Sequence, residues 1–196
     1  MAELLTLNAI RAHGPCESGW RKLLAHLGKT GGDDTPLSML TVLESNGLTD
    51  ALWCLRCITG RDCAIRLLAC DFAHSVAHLN SDPRAQAAID TARRYASGDA
   101  TSAEMASARK AAWAASAMAA DFDASEAAAW AAAETAAYAA AADAAANDAA
   151  HAAARAAMRA ARRAAPLDAA WSAAIKAAYD AQTAILRRWI IQQEAA

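Results

Sequence analysis

Apolar residues in the first eighty positions recur at spacings of three and four, in short runs closed by turn signals. This is the period of an amphipathic helix. Thr6 is placed to cap a first helix running through His13, with Leu7 and Ile10 inward and Gly14-Pro15 as its stop. Glu17 to Leu27 sets Trp20, Leu23, Leu24 and Leu27 on one face before Gly28. Lys29 to Thr35 reads as a polar loop. Pro36 suits the first turn of a third helix carrying Leu37, Leu40, Val42 and Leu43, which stops at Asn46-Gly47. Thr49 is expected to cap a fourth, with Leu52, Leu55 and Ile58 ahead of Gly60. A fifth spans Arg61 to Leu79 with Ile65, Leu68, Phe72 and Val76 inward. No segment alternates with a period of two, so strands are not expected.

The pattern then changes. Ser81-Asp82-Pro83 opens a helix that closes at Ser97-Gly98, and Thr101-Ser102-Ala103-Glu104 spells a capping box. From there to Ala165 the chain has neither Gly nor Pro, and 34 of the 55 residues from Ala111 to Ala165 are alanine. Alanine is the strongest helix former because it loses no side-chain entropy. Acids come first (Asp121, Asp123, Glu126, Glu134, Asp143, Asp148) and Arg155, Arg159, Arg162 and Arg163 last, which complements a helix dipole. A straight helix from Ser102 to Ala164 would reach about 95 Å, so either it breaks or the molecule is elongated. The favoured break is near Asp121–Ala124, with a restart at Asp123-Ala124-Ser125-Glu126. After Pro166 a last helix carries Trp171, Ile175, Tyr179, Ile185, Leu186, Trp189 and Ile190 as one stripe.

These patterns predict an all-α fold: a short-helix region over 1–80, packed with an alanine-rich helical hairpin or bundle over 81–196. Composition sharpens the picture. The chain is 56% hydrophobic, but 62 of its 196 residues are alanine. One methyl group contributes far less on burial than a leucine side chain, worth about 1.5–3 kcal/mol. The core must lean on the Leu, Ile, Trp and Met residues. Net charge is −2, which does not suggest a nucleic-acid partner. No run is apolar enough to cross a membrane. No basic segment followed by an apolar run opens the chain, and five cysteines at irregular spacing read as reduced thiols, so a cytoplasmic protein is expected.

Candidate chemistry is sparse. Cys54, Cys57, Cys63, Cys70, His74 and His78 include helical spacings that could hold zinc, but buried cysteine more simply behaves as a small hydrophobe. Cys16 with His13 is a conceivable nucleophile and base, although Gly14-Pro15 between them reads as a helix terminator. Asp33-Asp34 are expected at a helix start, and the arginines from Arg155 to Arg163 suit a helix C-terminus as well as a nucleic acid. No catalytic residue, metal or cofactor is assigned. The strongest binding signal is Trp130, which shares an arc with Asp123, Glu126 and Glu134 if this segment is one helix. A tryptophan among solvent-facing acids suits a protein contact. The alanine-rich helices also offer a surface through which two copies could pair as a homodimer.

Several segments resemble an alanine-rich, immunity-five-like family of bacterial and phage immunity proteins. They are Ile10-Arg11-Ala12-His13-Gly14-Pro15-Cys16, Gly19-Trp20-Arg21-Lys22-Leu23-Leu24, Leu27-Gly28-Lys29-Thr30 and Asp33-Asp34-Thr35-Pro36-Leu37-Ser38. Ser45-Asn46-Gly47-Leu48, Asp50 to Arg56 and Arg66 to Asp71 continue the likeness. It covers residues 6–80, and the remainder only by composition, as around Trp113 and Trp130. The resemblance implies a small cytoplasmic antidote that binds and neutralises a cognate toxin without turnover. An alternative of related physics is a phage-encoded inhibitor of a bacterial defence complex, of the anti-CRISPR type.

Overall fold

The computed structural model describes residues 5–118, 146–164 and 171–195. They are all-α. The helices are α1 (Leu7–Ala12), α2 (Glu17–Leu27), α3 (Met39–Asn46), α4 (Leu48–Cys54), α5 (Asp62–Ser75), α6 (Pro83–Ala96), α7 (Ser102–Met118), α8 (Ala146–Arg163) and α9 (Trp171–Glu194). One-turn 3-10 helices at Leu55–Cys57 and Ala77–Leu79 follow α4 and α5, and no strand occurs among the described residues. Among those residues no helix is long and apolar enough to cross a membrane.

Most ends follow from local chemistry. Thr6 accepts from the Ala9 amide at 3.1 Å, Asp82 accepts from Arg84 N, and Gly28 closes α2 in the left-handed region. The capping box is complete: Thr101 Oγ accepts from Glu104 N at 3.2 Å, and Glu104 Oε2 accepts from Thr101 N at 2.7 Å.

Two starts differ from the expectation. α3 begins at Met39, not around Pro36, because Ser38 takes the capping role and accepts from Leu40 N. Thr49 does not cap α4. Gly47, at φ 93°, ends α3 by donating to Leu43 O and starts α4 by accepting from Ala51 N. That positive φ suits glycine, and the direct turn places Leu48 inside α4 with no exposed surface. The fourth and fifth helices also end earlier than periodicity suggested. α4 tightens to 3-10 geometry at Leu55 and α5 stops at Ser75, with Val76 still buried after it.

The residues cluster into two compact units: residues 1–61 with 186–196, and residues 62–185. Composition and contacts thus divide the chain at different places, since α5 groups with the alanine-rich helices. In the first unit, α3 packs on α2 and α4 around Leu23, Val42, Leu43, Leu52 and Leu55. The segment from Leu186 to Glu194 belongs to this unit. There Arg187 pairs with Glu44 at 3.0 Å, Arg61 donates to Gln193, and Glu194 accepts from Ser38 Oγ and from Met39 N.

In the second unit, α5 packs on both α6 and α8, and α6 on α7. α8 buries Ala146, Ala149, Ala150, Ala153, Ala154, Ala156, Ala157 and Ala160, while Asp148, Arg155 and Arg163 are exposed. Small side chains of this kind let helix axes approach toward the lower end of the usual range, about 8 Å. Within this interior Gln182 is 2% exposed and donates to Ser75 Oγ at 3.1 Å, and Ser75 in turn donates to Phe72 O. The Gln182 Oε1 atom has no hydrogen-bond partner among the described residues.

Candidate functional site

The partner-binding residues expected from the sequence, Asp123, Glu126, Trp130 and Glu134, lie outside the described residues, as does the expected break near Asp121–Ala124. The other candidates can be placed. Cys54 and Cys57 are in the first unit and Cys63, Cys70, His74 and His78 in the second. The spacing of Cys70, His74 and His78 does not give a shared helical face. Cys70 is buried, His74 is exposed, and α5 ends before His78, which sits in a separate turn. Among the described residues no group of three or more His, Cys, Asp or Glu could hold a metal ion.

The cysteines fall into two classes, with Cys16 and Cys63 exposed and Cys54, Cys57 and Cys70 buried. Burial pushes the buried thiols up, Cys57 to about 11 and Cys70 to about 12. It raises Cys54 further, with the charges of Cys57 and Asp50 adding to the effect. This is opposite to the thiolate activation a nucleophile needs. Cys16 has a local role that sequence reasoning missed: its Sγ accepts from Gly19 N at 3.4 Å and caps α2. His13 caps the other end of the same turn region, at the C-terminus of α1.

The acids whose pKa is lowered are similarly committed to the backbone and to neighbouring cations. Asp33 is held low by Lys29 and by its bond from Thr35 N, and Asp34 accepts from Asn8. Neither starts a helix, because α3 is capped by Ser38. Asp82 is lowered by Arg84, and Glu104 by the Thr101 amide and hydroxyl. On α8, Arg155 and Arg159 border an open depression with Met158, Ile175 and Tyr179.

A pocket lies within the first unit, where α2, α3 and α4 meet the end of α1. It is a cavity of about 90 Å³ whose walls include Ile10, Trp20, Leu23, Val42 and Trp53, with Cys16 also lining it. Two polar side chains, Asn46 and Asp50, meet in its lining. Asn46 Nδ2 donates to Gly19 O at 2.8 Å and to Asp50 Oδ2 at 2.7 Å. Gly19 makes this possible, since a Cβ there would stand 2.7 Å from Asp50 Oδ2 and 3.1 Å from Cys16 Sγ. The Arg56 guanidinium lies 4.6 Å from the Trp53 ring centroid. The pocket was not singled out from the sequence. Trp20, Trp53, Asn46 and Asp50 come from three helices, and only the spacing of Asn46 and Asp50, four residues apart, hinted at a contact.

Comparisons with protein-family models, with curated proteins and with solved structures return no match.

Proposed function

We propose that this chain is a non-enzymatic, protein-binding inhibitor of the immunity type, which occludes a toxin by complementary fit. The observation that carries the reading is the pocket between Trp20 and Trp53. It pairs aromatic walls with one carboxylate, the composition of an interface anchor point. At about 90 Å³ it is far below the roughly 300–1,000 Å³ of sites that enclose cofactors or drug-sized substrates. It also lies in the segment that resembles the immunity family. Two further features agree with a binding role. The buried thiols are pushed away from reactivity, and the acids with lowered pKa are tied up in caps and ion pairs.

The test is coexpression with the toxic protein encoded beside its gene. Growth should be restored, and the two proteins should co-elute as a stable complex with both chains chemically unchanged. Absence of both protection and complex refutes the reading. So does turnover of any substrate that disappears on replacing a single polar residue.

A further inference from the structure

We propose that the pocket between Trp20 and Trp53 receives the end of a lysine side chain, supplied by the protein this chain inhibits. The ammonium would lie against Asp50 and the methylenes between the apolar walls. The chemistry of the occupant is argued from the pocket alone; its source rests on the inhibitor reading.

Charge points to a cation. Asp50 is the one acid lining the pocket, and no Lys or Arg lines it. Asp50 accepts from the Asn46 amide, and among the described residues no cation pairs with it. A half-buried carboxylate beside an indole wall is a favourable place for a positive charge, which gains from the carboxylate and from the Trp20 ring, the Trp53 ring already carrying the Arg56 guanidinium 4.6 Å from its centroid. The walls then require that the cation carry an apolar body.

Shape selects an ammonium over a guanidinium. Arginine binds carboxylate best as a fork that uses both oxygens, and Asp50 Oδ2 is already taken by Asn46 at 2.7 Å. A point charge needs only the remaining oxygen. The volume agrees: about 90 Å³ is room for roughly three water molecules at about 30 Å³ each, or for a short alkylammonium. Gly19 sets the geometry by leaving space for the Asp50 carboxylate against α2.

The first arm of the test uses the full chain labelled with 5-fluorotryptophan, with Trp20 and Trp53 assigned by Trp20→Phe and Trp53→Phe. n-Butylammonium should shift both resonances saturably, with n-butanol at least about tenfold weaker, the ratio expected from a charge–carboxylate and cation–π gain. Butyrate should have no effect, and Asp50→Asn should reduce the butylammonium response to that of butanol. A missing response, or an equal response to butanol, overturns the proposal even if Asp50→Asn does not fold. The second arm uses the toxin identified by growth protection. Asp50→Asn should weaken the complex about tenfold or more, while the exposed Asp62→Asn leaves it unchanged. An unaffected complex overturns the protein source of the lysine. If no partner protects growth, the inhibitor reading falls and takes that source with it, while the first arm still decides the amine chemistry.

Discussion

The two units of this molecule bury themselves with different materials. Among the described residues the first has seventeen buried hydrophobic residues, of which only Ala51 is alanine. The second has twenty-four, of which seventeen are alanine. A leucine-rich interior draws stability from transfer and dispersion at each site. An alanine interior has little of either per residue, and relies on high helix propensity and close backbone approach. The first should therefore suffer when side chains are made smaller, and the second when they are made larger.

The largest effect is expected from Leu52→Ala in the first unit. Leu52 is 1% exposed, and truncation should cost about 2–5 kcal/mol by denaturant titration. A loss below 1 kcal/mol would break the contrast. Ala157→Leu in the second unit should cost about 1–3 kcal/mol, because a fully buried methyl packed with Val76 and Leu79 has no room for three more carbons. A stabilised variant would show that α8 has space to spare. Thr101→Ala removes the cap of α7 and should cost about 1 kcal/mol, measured in the same way.

Acid sharpens the same point. Asp33, Asp82 and Glu104 have folded pKa values lowered by their hydrogen-bonded partners. A carboxylate of this kind contributes stability above its ordinary value, 3.8 for Asp and 4.5 for Glu, and loses it as pH falls through the lowered one. Stability in an acid titration should therefore decline as pH drops below about 4. A curve flat to pH 2 contradicts these bonds. The smallest effect is reserved for Gln182→Met. The lost bond to Ser75 is offset by removing an unsatisfied buried oxygen, so stability should stay within about 1 kcal/mol. Amide exchange along α9 should nonetheless quicken, because Gln182–Ser75 is a directional contact in an interior of interchangeable methyls. Unchanged exchange would deny it that positioning role.

Much of the fold is written locally. Thr6, Gly28, Asp82 and the Thr101–Glu104 pair act within three or four residues of themselves, so their roles are readable from spacing. The misread starts are cases of competition. Pro36 and Thr49 are competent terminal residues, but Ser38 gains a second partner, Glu194, and Gly47 serves two helices at once. The pocket was illegible for a related reason. Nothing in the spacing of Trp20, Asn46 and Trp53 says that α2, α3 and α4 converge, and a glycine inside α2 reads as a weakness until Asp50 is seen to need the space. The thiols were half legible: the hydrophobe reading of Cys54, Cys57 and Cys70 follows from their apolar neighbours, whereas the capping role of Cys16 needs the backbone.

Glu194 sits 156 residues from Ser38, yet it finishes the N-terminus of α3. Deletion mapping is therefore a treacherous tool for this protein. A fragment trimmed before Glu194 loses an anchor of the first unit as well as whatever surface was being sought. Failure of such a fragment to bind would report a frayed α3 and a disturbed wall of the tryptophan pocket. Point substitutions at exposed positions, such as Ile191, separate the two effects where truncation merges them.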